Sequence, residues 1–430
     1  MFAYNENVGD GMEQVYLNRN FLCIDLKSFF ASCECFERKL DPFAYPLVVA
    51  NPNQGNGAIT LAVSPYLKAQ GVPSRVRLYE IPKHIKYTIV KPRMNLYLQK
   101  SKEVVQVYLK YVSKDDLHIY SIDECFLDVT DYLKMYQKTD YELALEILDD
   151  VRKTTGLYAT CGIGPNMLLA KVSMDIEAKH NQDFIAKWTY EDIPLKLWSI
   201  APLSKMWGIG PRMEKNLNKL GIYSIYDLAH YDRNKLKQKF GVIGVELWNH
   251  ANGIDLSRIE HLKKEIDQSY SHSQVLFKDY NGENIKIIIR EMIDVLAIRL
   301  HQNHKTCSSI GLGIGYSKSI GGGFYHQVKL NNPTDLEKDI LANVLMIFDK
   351  FYEGDPIRKV TLACGGLAYK DGIQLNIFEH FEEVEEQEKI NQAILEIKDK
   401  YGKNSLLKAS SLLSDSTIHE RNGKIGGHTA

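Results

Sequence analysis

The sequence predicts a multidomain α+β protein, on three observations. Its 430 residues are too many for one small core and suggest roughly three or four domains. Up to about residue 190, strand, helix-rich insertion, hairpin, helix, strand and helix follow one another, the pattern of a sheet covered by helices. Short glycine-punctuated helices come next, and then a second, smaller α+β pattern. Composition agrees, since 44% hydrophobic and 25% charged residues exclude wholesale disorder.

Residues 1–19 read as a polar lead-in. Phe21–Ile24 is an apolar strand that runs into the aromatic and small-residue helix start of FLCIDLKSFFASCECFE. NPNQGNG at Asn51–Gly57 is irregular, and a helix-like segment follows to about Gln70. Residues 95–112 carry apolar positions at helical spacing, whereas HIYSIDECFLDVT (118–130) reads as two short strands joined by a tight turn at Asp123–Glu124. Glu142–Thr155 is helical, LYATCGIGP is a strand closing on Gly164–Pro165, and NMLLAKVSMDIEAK is a helix. Between Ile193 and Asn252 short helices alternate with glycines, and bases outnumber acids in PLSKMWGIGPRMEKNLNKLGI. After the charged HLKKEIDQ, residues 278–302 and 334–351 read as helices, and CSSIGLGIGYS, FYHQVKL and RKVTLACGGL as strands. The tail from Asp371 is acidic, then helical, then polar and Ser-rich.

Fifty-three basic residues against 54 acidic ones leave a formal charge of -1, so any nucleic-acid surface must be local. No run approaches the roughly 18 apolar residues of a membrane span, and the acidic opening is unlike a secretory leader. Seven scattered cysteines fit a reducing compartment, so a cytoplasmic location and no membrane contact are expected.

Four constellations carry chemistry. Asp25 ends an apolar strand, and Asp123 and Glu124 sit at a hairpin tip wedged between Ile122 and Cys125–Phe126. Carboxylates so projected from one sheet edge suit divalent cations and phosphoryl transfer, although any Asp-Glu pair taken alone arises by chance. Phe29 and Phe30 read either as helix core or as a ring against a nucleotide sugar, where a 2′-hydroxyl would collide with it. GIGP occurs twice. At Gly162–Pro165 it reads as a plain turn; at Gly208–Pro211 it reads as a tight interhelical turn or a helix-hairpin-helix contact to phosphate through Gly208 and Gly210. QLNIF, with Gln374, Leu375, Ile377 and Phe378, reads as an edge strand or a linear motif for a hydrophobic groove.

With those residues assembled, the chain resembles the Y-family translesion DNA polymerases, most closely the UmuC/UvrX (ImpB/MucB/SamB) branch of Gram-positive bacteria, plasmids and phages. IDLKSFFASCE, YSIDECFLD and TCGIGPNMLLAKVSMDIEAK match that family's three motifs, and the resemblance spans roughly residues 20–428. It implies a right-hand polymerase. The palm, with a ferredoxin-like sheet, would take 20–35 and 95–190, the fingers 36–94 and the helix-hairpin-helix thumb 191–254. A linker at 255–264, an α+β little finger at 265–370 and a clamp motif with tail at 371–430 complete the chain.

The resemblance further implies that Asp25, Asp123 and Glu124, assisted by the Leu26 carbonyl, hold two Mg²⁺ ions, with Mn²⁺ able to substitute. Phe30 falls at the steric gate with Phe29 beside it, and QLNIF looks like a sliding-clamp peptide. Pro65 and Lys68 stand where the DinB branch has a Tyr and an Arg over the triphosphate, and a lysine offers a point charge in place of a bidentate fork. Lys179 falls near the triphosphate lysine, one residue further from Asp175 than in DinB types. The implied activity is translesion DNA synthesis by a monomer acting on primer-template DNA and a dNTP, with the replication clamp as partner. A two-metal nuclease or cyclase, or an inert clamp- and DNA-binding accessory, are the alternatives.

Overall fold

A computed structural model of the chain describes residues 16–262, 269–370 and 381–429. The residues Gln374, Leu375, Ile377 and Phe378 lie outside the described residues. The chain divides into two compact units, Met1–Glu265 and Ile266–Ala430.

The strands of the first unit are β1 (Phe21–Leu26), β2 (Leu47–Val49), β3 (Ala62–Val63), β4 (Thr88–Val90), β5 (Leu117–Ile119), β6 (Glu124–Asp128), β7 (Ala159–Gly164) and β8 (Ile185–Lys187). Its first four long helices are α1 (Phe29–Glu37), α2 (Met94–Tyr108), α3 (Asp140–Thr155) and α4 (Met167–Ser173). The main sheet runs β5-β6-β1-β7-β8, so the strand that carries Asp25 is central. Phe21, Leu22, Cys23 and Ile24 are all fully buried. Because alternate residues point to opposite faces, β1 is covered on both sides, which explains its unbroken apolar run. A separate small sheet, β3-β2-β4, is inserted between α1 and α2. Helix α3 is held at its start by a capping box of Thr139 and Glu142 and stopped by Gly156 at φ +73°.

The first GIGP is not a plain turn. Gly162 and Gly164 belong to β7, and α4 lies directly on them. A Cβ at Gly162 would stand 2.0 Å from the Ala170 carbonyl oxygen, and one at Gly164 2.4 Å from the Ala170 nitrogen. The glycines are there so that a helix backbone can approach a strand backbone. Gly162→Ala is therefore expected to destabilise by ~3 kcal/mol or more, the upper range for overpacking, read as a lower denaturant midpoint at unchanged slope.

Helices α5 (Pro211–Asn218), α6 (Ile225–His230), α7 (Arg233–Phe240) and α8 (Val242–Ala251) close the unit around Leu203, Leu217, Ile225, Leu236 and Leu247. The second GIGP precedes α5. Gly208 takes φ +88°, Gly210 is the N-cap, and Pro211 opens the helix, where a missing N–H costs nothing.

The second unit holds β9 (Ser269–Tyr280), α9 (Ile285–Gln302), β10 (Lys305–Tyr316), β11 (Gly323–Thr334), α10 (Glu337–Phe351) and β12 (Ile357–Gly365). Its sheet is antiparallel in the order β11-β10-β12-β9. In CSSIGLGIGYS the residues Ile310, Leu312 and Ile314 face the core with Ile288, Met292 and Val344, and glycines alternate with them. Residues 278–280 belong to β9, not to the helix expected from 278; the helix begins at Ile285.

The polar tail is folded onto this unit. Helix α11 (Phe381–Tyr401) is tied to α9 by Lys398 to Asp294 at 3.1 Å, and Asn391 meets His301 at 3.3 Å. Beyond it, Asp415 accepts from Lys278 at 2.6 Å and Asn284 at 2.8 Å. Glu291 of α9, 3% exposed, is bonded by Ser416, by the Thr417 N–H at 3.3 Å and by Arg421 at 3.3 Å.

Candidate active site

The site is built on the registered pair Asp25 and Glu124, which face each other across the antiparallel β1–β6 ladder. Directly opposed residues point to the same face, so the pairing alone brings two carboxylates together. Glu124 is the first residue of β6, and the turn lies one step earlier, over Tyr120–Asp123, where the Tyr120 and Ser121 N–H groups donate to the Glu124 carbonyl at 3.0 Å. Asp123 ends that turn. Its carbonyl accepts from the Leu26 N–H at 2.9 Å, and its carboxylate accepts from the Ser121 hydroxyl at 2.6 Å. Asp123 and the backbone of Leu26 thus sit against one another at the end of the central strand.

Lys171, which the motifs left unremarked, and Lys179, expected near the triphosphate, complete the cluster. Lys171 of α4, buried, meets Glu124 at 2.8 Å and Asp175 at 3.0 Å. Lys179 meets Asp175 at 2.8 Å and Asp25 at 3.5 Å. Lys179 closes a π-helical turn, Met174–Ala178, and its N–H reaches back five residues to the Met174 carbonyl at 3.1 Å. Burial pushes the Asp25 carboxyl up to about 6, against the Lys179 ammonium and with the added repulsion of Asp123 and Glu124. Behind Glu124, the buried Cys23 thiol donates to its Oε1 at 3.3 Å, and burial pushes that thiol well up.

Among the described residues no three His, Cys, Asp or Glu side chains are gathered closely enough to hold a metal ion as they stand. Glu124 is turned to Lys171, and Asp123 to Ser121. The donor chemistry nevertheless fits a hard cation, because Asp25, Asp123 and Glu124 offer carboxylate oxygens and the neighbouring thiols of Cys23 and Cys125 are buried.

The two phenylalanines divide. Phe29 is 3% exposed and is core, while Phe30 is half-buried and its ring stacks on Tyr97 with centroids 4.4 Å apart. Tyr97 is fully buried, and its hydroxyl donates to Glu34 Oε1 at 2.8 Å. Arg93 grips the same carboxylate with Nε at 3.0 Å and Nη2 at 2.8 Å. Lys68 lies on the one-turn helix Pro65–Ala69, capped by Ser64, within electrostatic reach of Asp25, Asp123 and Lys179. Gly208 and Gly210 are exposed, with open space where a Cβ would stand.

A sheet that carries carboxylates at its central strand end, a small inserted sheet, a glycine-punctuated helical segment and a separate α+β unit define a class. A solved Y-family DNA polymerase chimera shares this fold at a TM-score of 0.64, over 81% of this chain and 99% of its own, with 17% identity. Residues 24–175 match the model of the impB/mucB/samB family, 190–222 that family's HHH motif, and 267–377 its C-terminal domain. The chain belongs to the impB/mucB/samB family. It is 39% identical over 413 residues, 95% of this chain and 97% of the relative, to a putative UV-damage repair protein UvrX of Bacillus subtilis (strain 168). A DNA polymerase IV 2 of the same organism is 31% identical over 94% of this chain and 97% of its own length.

Proposed function

We infer that the chain is a DNA-directed DNA polymerase that synthesises across damaged template, using primer-template DNA, a dNTP and divalent metal. The observation that carries this reading is the registered Asp25–Glu124 pair with Asp123 beside it, in a chain of this family. Asp25, Asp123, Glu124 and the Leu26 carbonyl are the groups that would hold two Mg²⁺ ions. When bound, such ions neutralise charge that builds on the reacting phosphate. The residues of the chain supply position. Lys171 pairs with Glu124 and the Ser121 hydroxyl bonds Asp123, which fixes where the two carboxylates stand. Phe30, backed by Tyr97, stands where a 2′-hydroxyl would collide with it. Lys68 and Lys179 neutralise the phosphate chain, and the backbone at Gly208 and Gly210 approaches DNA phosphate without reading sequence. Primer extension on undamaged and abasic templates tests the reading: metal-dependent extension past the abasic site supports it, and nicking or cyclisation without extension would overturn it.

Gln374, Leu375, Ile377 and Phe378 are proposed to dock on the replication clamp from a polymerase that is itself monomeric and cytoplasmic. In sequence the segment lies between Lys370, whose N–H donates to the His304 carbonyl at 2.9 Å, and α11. Apolar anchors give such a peptide its affinity, roughly 1.5–3 kcal/mol each when fully buried, and tethering raises the local concentration of enzyme. Leu375→Ala with Phe378→Ala is expected to remove stimulation by the clamp and leave clamp-free extension intact. Loss of stability and of clamp-free extension together would mark these residues as an edge strand.

A further inference from the structure

A further lysine, Lys27, stands near Lys68 and Lys179. Lys27 directly follows β1 and is pinned by its backbone: its N–H donates to the Tyr158 carbonyl at 2.8 Å, and its carbonyl accepts from the Ser32 hydroxyl at 2.6 Å. Ser28, the next residue, takes the left-handed conformation at φ 49°, which turns the chain sharply into α1. The half-buried Lys27 side chain is also fixed. Its ammonium donates to the Lys179 carbonyl at 3.3 Å and lies 3.9 Å from the Phe184 ring centroid. Lys68 and Lys179 are both within its electrostatic reach.

Among the described residues, neither Lys27 nor Lys68 has a carboxylate at ion-pair distance, whereas Lys179 has Asp25 and Asp175. Ammonium groups held near one another, two of them with carboxylates only beyond ion-pair distance, suit a polyanion. Lys68 is a point charge that cannot grip a phosphate bidentately, and a further cation nearby offsets that loss.

We propose that Lys27 is a phosphate-binding residue, which with Lys68 and Lys179 forms a three-ammonium cradle for the triphosphate chain of the incoming nucleotide. The proposal rests on the polymerase reading above for the identity of the nucleotide. Lys27 takes no part in holding the sugar, the base or the template.

The test compares Lys27→Ala, Lys27→Arg and the surface control Lys153→Ala in the full chain. Two measurements are made: KM and kcat for dNTP in primer extension, and binding of inorganic tripolyphosphate to the metal-free, DNA-free protein by calorimetry. Loss of one charge-assisted contact should raise the dNTP KM and the tripolyphosphate Kd by about tenfold or more, with primer-template affinity unchanged. Lys27→Arg should restore most of both, and the control should change neither. Tripolyphosphate binding that is unaltered in a normally folded Lys27→Ala variant would overturn the proposal. If that variant melts early, Lys27→Gln, which keeps the side chain's bulk and a hydrogen-bond donor, is measured in its place against the same criterion. A parental protein that binds tripolyphosphate through Lys27 but extends no primer would overturn the polymerase reading and leave the cradle standing.

Discussion

Asp123→Ala is expected to abolish primer extension while primer-template binding stays close to the parental value. Asp123 is half-buried, its carboxylate accepts from Ser121, and its backbone is held by Leu26, so alanine removes the charge and leaves the turn in place. A rate loss on the order of 10²-fold or more is expected when a group that stabilises transition-state charge is deleted. DNA affinity comes mainly from contacts to phosphate elsewhere on the chain and is not expected to follow. Glu124 requires a different substitution. Alanine there would strip the buried Lys171 of one of its two carboxylates, and breaking a buried pair costs about 3–5 kcal/mol. Glu124→Gln keeps an acceptor for Lys171 and Cys23, so it should lose extension at near-parental stability. Either Asp123→Ala or Glu124→Gln extending primers at the parental rate would remove these carboxylates from the metal site.

Phe30→Ala should admit ribonucleotides. The ring is half-buried and stacked on Tyr97, which is itself fixed through Glu34 and Arg93, so it cannot swing aside to relieve a clash. Each ~1.4 kcal/mol of clash that its removal relieves is tenfold in discrimination, so the dNTP:rNTP ratio should fall by one to two orders of magnitude. Phe29 is buried beneath and should behave differently, with Phe29→Ala costing about 3–5 kcal/mol of stability. An unchanged ratio in Phe30→Ala would leave that ring as packing alone.

The carboxylate cluster is legible because Asp25 and Glu124 lie on short apolar strands, with Asp123 beside them, where a charge taken out of water must be paired or must hold an ion. The register was not legible. Placing the turn on Glu124 instead of one residue earlier makes the difference between a carboxylate at a loop tip and one aligned with Asp25. The first GIGP misleads for a related reason: glycine signals a turn by local conformation, but Gly162 answers to a helix that crosses it from elsewhere. Glu34, Arg93 and Tyr97 were invisible as a set, since their bonds join residues 59 and 63 positions apart. The tail reads as solvated because its side chains are polar. Its polarity is spent on partners about 125–147 residues away, a kind of complementarity that no local pattern displays.

That tail alters the meaning of the C-terminus. The family's C-terminal domain model ends at residue 377, yet Ser416, Thr417 and Arg421 supply the bonds to the Glu291 carboxylate in the middle of α9. As a folding unit, the domain continues to the last described residue. A chain cut short near residue 370 would strip the Glu291 carboxylate of Ser416, Thr417 and its counter-charge Arg421, and removing one partner of a buried pair is costly. Shortened chains made to remove Gln374, Leu375, Ile377 and Phe378 would therefore report on folding, while point changes at Leu375 and Phe378 test the proposed tethering. For the same reason a stop codon that falls ahead of Arg421 acts on the whole second unit, and a gene interrupted there loses far more than an appendage.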